Sequence, residues 1–300
     1  MKKLLALSAL LAALPSLALA CACGCGVFDV GTSTMLPTQP GGMMWLEYDY
    51  MDQTHNWNGA HRNDASENDD KRIRNSFVTL GGQYMFDRSW GVEATVPYTD
   101  RMFRNSDAGP IETFNHAAFG DVHLQAIYSG FEPDMSTGLT FGLKLPTGDY
   151  KYANFDRDVE TGTGSTDILL GGYHVGPLAK SFDWFADAQF DQAVLIQQQY
   201  RPGHELDASL GTYYNGFTVG NTKVAPLLQL IGSVRSHDLG ANSDPENTGY
   251  DRVMISPGVE VDTVDGTRLY ADVAFPVYQH VNGNQLVAPV YFKLNIGHTF

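Results

Sequence analysis

The sequence predicts an all-β fold: a single transmembrane, antiparallel, up-and-down β-barrel of about twelve strands, of the outer-membrane type. Three observations predict it. The first is the end of the chain, where Val290, Phe292, Leu294, Ile296, His298 and Phe300 share one face and Tyr291, Lys293, Asn295, Gly297 and Thr299 the other. That is the strand period of two, over a length that suits a tilted membrane strand of roughly 9–11 residues. The second is the recurrence of this alternation along the chain, with connections that are alternately short and long, as in outer-membrane barrels. The third is the N-terminus, which reads as a secretory leader followed by no apolar run of roughly 18 residues, so helical membrane insertion is excluded.

The leader begins Met1-Lys2-Lys3, runs apolar from Leu4 to Ala20 and closes on the small-x-small triplet Ala18-Leu19-Ala20. Ser8, Pro15 and Ser16 break the run, which is too short to favour a spanning helix. The expected organisation is therefore a signal peptide over 1–20, a periplasmic Cys-rich tail over 21–42, of which Gly31–Gly42 is open to threading inward as a plug, and a barrel over 43–300. The formal net charge of −15 becomes −17 once Lys2 and Lys3 leave with the leader. Such acidity argues against nucleic acid as a partner. It does not argue against a membrane, because carboxylates can sit in loops and lumen. The 15 Tyr, 16 Phe and 31 Gly suit a chain of strands and turns. The three cysteines, Cys21, Cys23 and Cys25, all precede the barrel, which rules out a disulfide-stapled core.

Taken in order, Gly31 to Gly42 is a turn-rich lead-in with Pro37 and Pro40. Strand one sets Met44, Leu46, Tyr48 and Tyr50 against Glu47 and Asp49. A polar loop over 52–72 precedes strand two, about 73–86, with Val78, Leu80, Tyr84 and Phe86 on one face. The tight turn Asp87-Arg88-Ser89 leads to strand three, where Trp90, Val92, Ala94, Val96 and Tyr98 oppose Gly91, Glu93 and Thr95. After a connection over about 99–119, strand four sets Val122, Leu124, Ala126 and Tyr128 against Asp121, His123 and Gln125. The turn at Glu132-Pro133-Asp134 returns the chain. Strand five then sets Leu139, Phe141, Leu143 and Leu145 against Thr140, Gly142 and Lys144.

A third long loop covers 146–165. Strand six, about 166–175, contains Ile168-Leu169-Leu170, whose facing is ambiguous. Strand seven sets Trp184, Ala186, Ala188 and Phe190 against Asp187, Gln189 and Asp191. After a loop at 192–204, strand eight sets Leu206, Ala208, Leu210 and Tyr214 against Glu205, Asp207 and Ser209. Strand nine, about 223–235, sets Leu228, Leu230 and Val234 against Gln229, Ser233 and Arg235. A fifth loop over 236–252 leads to strand ten, with Val253, Ile255, Val259 and Val261 against Glu260 and Asp262. Asp265-Gly266 is a hairpin turn. Strand eleven sets Leu269, Ala271, Val273 and Phe275 against Tyr270 and Asp272, and a loop at about 278–287 precedes the closing strand.

Short connections follow the even strands and long ones the odd strands, which expects both termini in the periplasm. A soluble sandwich or lipocalin-like barrel also alternates, with its apolar face inward. The strands here exceed the usual length of about five or six residues. Trp90, Trp184, Tyr48, Tyr98, Tyr128 and Tyr214 recur near strand ends, as an interfacial aromatic girdle would.

Several stretches carry a resemblance. They are Arg88-Ser89-Trp90-Gly91-Val92 with Val96-Pro97-Tyr98, Leu143-Lys144-Leu145-Pro146-Thr147-Gly148-Asp149-Tyr150, and Gly162-Thr163-Gly164-Ser165-Thr166-Asp167-Ile168-Leu169-Leu170-Gly171. Together they resemble the family of outer-membrane transporters linked to the meta-pathway of phenol degradation. The resemblance covers most of the mature chain and rests on turns and strand starts. It implies a transporter of aromatic or other organic compounds, with no catalytic residues and no cofactor. The cysteine cluster departs from the general pattern. A closing strand ending on Phe300 also resembles the signal read by the barrel-assembly machinery of the outer membrane of Gram-negative bacteria.

The facing assigned above puts Glu47, Asp49, Glu93, Asp121, Asp187, Asp191, Glu205, Asp207, Glu260, Asp262 and Asp272 in the lumen, with His123, Lys144, Arg235, Arg268 and Lys293. Carboxylate rings in an open pore favour cations. In a packed lumen the same groups pair with the basic side chains, Tyr and Gln, and both arrangements are open at this point. Cys21, Cys23 and Cys25 suit a soft metal or a periplasmic redox partner, although the spacing is not the Cys-x-x-Cys of common zinc sites. Lipid attachment at Cys21 is a further option, with Ala18 and Leu19 a poor lipobox. An unused oxidised tail is another.

Asp64, Glu67, Asp69, Asp70, Asp244 and Glu246 lie in long loops, where carboxylates could meet divalent cations bridging lipopolysaccharide. A charge run there reads more simply as a solvated loop. His116, His123 and Asp121 make no catalytic set, and Ser-x-x-Lys, His-Glu-x-x-His and Gly-x-Ser-x-Gly are absent. The expected function is a passive outer-membrane channel or uptake transporter for small solutes, not an enzyme. A barrel that docks a periplasmic metal or redox protein through its cysteines is the second expectation, and a barrel enzyme a distant third.

Overall fold

Along β1 (Gly41–Gln53) the residues that alternate in sequence alternate in burial: Met44, Leu46 and Tyr48 face outward, while Trp45, Glu47, Asp49 and Met51 are buried. The same outward apolar face and inward mixed face continue around the wall. The computed structural model describes residues 26–32, 35–106 and 109–300. The further strands are β2 (His55–Gly59), β3 (His61–Arg62), β4 (Asp70–Met85), β5 (Trp90–Asn105), β6 (Glu112–Phe119), β7 (Val122–Tyr128) and β8 (Thr137–Leu145). They continue with β9 (Thr166–Ala179), β10 (Phe182–Leu195), β11 (Glu205–Tyr214), β12 (Phe217–Val219), β13 (Thr222–Arg235), β14 (Tyr250–Asp262), β15 (Thr267–Val287) and β16 (Tyr291–Thr299).

Every pairing is antiparallel, and β16 pairs back onto β1 from Thr299 opposite Met43 to Tyr291 opposite Met51, which closes the barrel. The wall has twelve staves, with β6 and β7 forming one stave that pairs with the two halves of β5. Closure removes the free edge that lipid would not tolerate. Gly42 and Phe300 exchange backbone bonds of 2.9 Å in both directions, and the Phe300 ring lies over Gly42 where a Cβ would stand. Inside, the Trp45 indole covers Gly81 in the same way.

The long-loop end differs from the sequence reading. Residues 52–72 and 99–119 are not simple loops: β1, β4 and β5 run on through them, and β2, β3 and β6 extend the sheet. The expected loop at 278–287 belongs to the 21-residue β15, which pairs with β2 beyond the barrel. The outward face of these extensions is polar, as at Asp52, Arg72, Arg74 and Arg104, so no outward apolar alternation announces them, while Ile73 and Phe103 on the other face are buried. Strand six resolves with Asp167, Leu169 and Tyr173 inward and Ile168 and Leu170 outward.

The expected tail over 21–42 also differs. Residues 26–32 run inside the barrel: Val27 packs with Met51, Ile231, Met254 and Tyr291, and Phe28 lies 6.0 Å from both the Phe77 and Tyr291 rings. The physical reason is that the apolar Val27, Phe28 and Val30 find in the lumen a cover that water does not provide. Residues 35–40 continue to the short-turn end, where the Gln83 amide donates to the Met35 carbonyl at 2.8 Å and the Arg268 guanidinium to Thr38 Oγ1 at 3.1 Å. The cleavage site and Cys21, Cys23 and Cys25 lie outside the described residues.

Candidate functional site

Three layers meet in the lumen. The wall contributes the inward faces of the strands. The N-terminal segment crosses the middle, held at its backbone. Lys293 on β16 donates to Phe28 O at 2.6 Å, Val30 O at 3.1 Å and Thr32 Oγ1 at 2.7 Å, which uses all three of its ammonium protons. Gly31 N donates to Asp187 at 2.9 Å, and the Tyr270 hydroxyl donates to Gly31 O at 2.9 Å. Gly31 takes φ +84°, a left-handed turn that lets its backbone approach Gln229.

The third layer is the loop over 146–165, which folds inward at the long-loop end. Asp121, at the break between β6 and β7, accepts from Gly148 N at 2.9 Å and from Thr163 N and Oγ1 at 2.8 and 2.6 Å. Arg101 on β5, only 2% exposed, donates to the carbonyls of Val159 and Glu160. Val159 packs with Ile73, Phe103 and Leu286. The Arg157 guanidinium lies over the Tyr200 ring at 4.3 Å and contacts Glu160 at 3.0 Å. Burial in this loop pushes the Glu160 carboxyl up to about 7, and the Arg157 contact opposes the rise without cancelling it. At the rim the opposite holds: backbone and side-chain hydrogen bonds from Ser66 pull the Asp64 carboxyl below its ordinary value.

Between these layers lies a cavity of about 280 Å³, near the lower end of the range for small-ligand sites. Glu47, Asp49, Glu93, Asp121, His123, Lys144, Asp191, Glu205 and Arg235 line it. Several of them are already paired. Lys144 bridges Asp167 and Asp191, the latter at 2.7 Å; Arg235 holds Asp238 at 2.7 Å; Glu205 accepts from the Tyr250 hydroxyl at 2.5 Å.

The remaining sequence-predicted residues lie away from the cavity. Asp187 and Lys293 hold the N-terminal segment. Asp207 is buried beside Gly26, and Asp272 accepts from Ser256 and Gln229 with the Tyr270 hydroxyl oxygen 3.0 Å away. Glu260 is buried, and Asp262 lies 3.9 Å from Arg268 toward the short turns.

Sequence reasoning missed Arg101, Asp167 and Arg252, as well as the loop residues Arg157 and Glu160. For two of them the signal was present. Counting by twos from Glu93 through Thr95, Pro97 and Thr99 reaches Arg101, and counting back from Glu260 reaches Arg252. The loop residues had no such signal, because nothing in their spacing says that the loop folds inward. The loop carboxylates serve turns: Asp64 caps the short helix Ala65–Glu67, and Asp244 accepts from Glu246 N at 3.2 Å.

The outward face is apolar, with aromatic side chains grouped at the short-turn end: Trp90 on Tyr128 at 4.8 Å, Tyr128 on Phe131 at 5.0 Å, and Phe182 and Phe217 on Tyr214. Among the described residues no helix is long and apolar enough to cross a membrane, and no group of three His, Cys, Asp or Glu is placed to hold a metal ion.

No protein-family model matches the chain, and no curated protein sequence matches it. Solved structures do. A crystallised outer membrane channel of Pseudomonas putida F1 is 14% identical with a TM-score of 0.65, over 91% of this chain and 99% of that one. The β-domain of the Bordetella autotransporter BrkA is 14% identical with a TM-score of 0.56, over 87% of this chain and 100% of that one. The P. putida toluene transporter TodX, at 9% identity over 89% and 91% of the two chains, has a TM-score of 0.45. The chain thus has the fold of an outer-membrane β-barrel, as its alternation predicts. The link to phenol degradation has no family match behind it.

Proposed function

We propose that the protein is a passive outer-membrane channel for small solutes, kept narrow by its own N-terminal segment and inward loop, and not an enzyme. The observation that carries this reading is a closed, lipid-compatible wall around a polar lumen that still holds a cavity beside an N-terminal segment that is no strand of the wall. The segment is held by the packing of Val27, Phe28 and Val30 and by hydrogen bonds to single side chains, and it is no strand of the wall, so the wall closes without it. The short turns face the periplasm in this reading, the long loops and their carboxylates face lipopolysaccharide, and Phe300 serves assembly. The cargo is an organic compound, which the sequence resemblance supports, or a cation, which the unpaired lumen carboxylates support.

The test is single-channel conductance of refolded mature protein in a planar bilayer under a salt gradient. Small, brief conductance is expected from the intact protein. Steady, larger, cation-biased conductance is expected from Lys293→Ala, which removes three bonds to the segment. A folded Lys293→Ala barrel that stays silent, or an anion-biased reversal potential, counts against the channel reading.

A further inference from the structure

The cavity contains more carboxylate than its own cations neutralise. Its basic side chains are committed elsewhere: Lys144 to Asp167 and Asp191, Arg101 to the loop carbonyls, Arg157 to Glu160, and Arg235 to Asp238. Lys293 stands directly across the β1–β16 ladder from Asp49, yet all three of its protons go to the N-terminal segment. Asp49 is only 2% exposed, lines the cavity, and its Oδ1 has no hydrogen-bond partner. Leaving such an oxygen dry and unpaired is costly. Glu47, two residues earlier on the same face, accepts a bond of 3.1 Å from Asn295 and lies within hydrogen-bond contact of the other oxygen of Asp49, and Glu93 on β5 accepts none among the described residues.

Around these carboxylates the lining carries Phe28, Phe77, Trp45 and Pro97, interleaved with the hydroxyls of Thr79 and Thr95. Carboxylates beside aromatic faces are the surroundings that an ammonium group with an apolar body requires, through charge-assisted hydrogen bonds and cation–π contact. A bare metal ion is less well matched, since no three ligating side chains converge among the described residues. We propose that this cavity is a binding site for small aromatic or aliphatic monoamines, with the ammonium at Asp49, in the field of Glu47 and Glu93, and the apolar body toward Phe28 and Phe77. This names a cargo class for the channel proposed above and rests on that reading only for its biological use; binding itself is independent of flux.

The test is calorimetric titration of the refolded mature protein in detergent with phenethylamine, its neutral isostere 2-phenylethanol, and potassium chloride at matched ionic strength. The expected result is saturable 1:1 binding of the amine, at least tenfold tighter than the alcohol and not displaced by potassium. Asp49→Asn is expected to weaken it at least tenfold, and Glu93→Gln several-fold. Because Glu93 makes no bond that the fold uses, Glu93→Gln keeps the test decisive if Asp49→Asn does not refold, with folding read from the heat-dependent gel shift. Equal affinity for amine and alcohol, competition by potassium, or unchanged amine affinity in folded Glu93→Gln and Asp49→Asn overturns the assignment. Amine binding without any conductance would leave this site standing and sink the channel reading; conductance without amine binding does the reverse.

Discussion

Asp121 acts on the lumen through the loop it holds. Its carboxylate, 6% exposed, accepts three bonds from Gly148 and Thr163, so it closes the loop over 146–165 onto the gap between β6 and β7. Bonds to a buried charged acceptor contribute about 1.5–3 kcal/mol each, not additively. Asp121→Ala is therefore expected to loosen the loop by about 2–3 kcal/mol. Hydrogen exchange at 148–163 should speed up by one to two orders of magnitude, on the order of that energy, while exchange in β16 stays put. Faster exchange throughout the barrel would mean that Asp121 supports the wall instead.

Glu160 in the same loop titrates in the physiological range, because burial raises it to about 7. Arg157 lowers it, Asp149 raises it further, and Arg101 holds its backbone carbonyl. An acid whose pKa is higher in the docked loop than in the released one favours docking while it is protonated. That contribution is complete below the ordinary value of 4.5 and is lost as the pH rises through about 7. Loop cleavage by an added protease should rise between about pH 5 and 8, and Glu160→Gln should flatten the profile. A Glu160→Gln profile as steep as the wild type would rule this group out.

At the scale of elements, the inward ladder of β4 against β1 depends on where its glycines fall. Gly81 faces inward under the Trp45 indole, whereas at its neighbour Gly82 the nearest atom to an added Cβ is 3.7 Å away. Gly81→Val forces Trp45 from its place and is expected to destabilise the barrel by about 1–3 kcal/mol. Gly82→Val, with ordinary contact, should change it little. Urea titration of both variants in lipid vesicles compares them directly, and equal effects would show that strand propensity and not Trp45 packing governs this pair. The β14–β15 seam has a related cause: Pro257 has no N–H to give, and the ladder between these strands skips from Ile255 opposite Phe275 to Gly258 opposite Asp272.

At the scale of the molecule, the two faces of the wall answer to different solvents. Leu294 is 53% exposed to the outside, and Lys293 beside it is 3% exposed and bonded inside. Leu294→Arg puts a charge into lipid at mid-strand and is expected to cost about 2–4 kcal/mol in folding from vesicles. The same variant in detergent micelles, which let the guanidinium reach water, should lose less. An equal loss in both would argue that packing and not lipid burial sets the penalty.

The twelve staves, the facing of all but strand six and the closing role of the last strand were legible in the chain, because a wall between lipid and a polar lumen imposes period two on its strands. Met44-Trp45-Leu46-Glu47-Tyr48-Asp49 states its facing by itself. The inward carboxylates could be named for the same reason. Their roles could not: whether Asp121 lines a pore or clasps a loop depends on where Gly148 and Thr163 come to rest, which no local pattern records. Lys293 reads as a lumen charge in sequence and becomes the anchor of the N-terminal segment only when Phe28, Val30 and Thr32 are brought to it across more than 260 residues of chain. Alternation is a local demand of the two solvents and is therefore written in the sequence. The filling of the lumen is a meeting of distant segments, set by shape and by which buried polar groups find partners, and only the tertiary structure decides it.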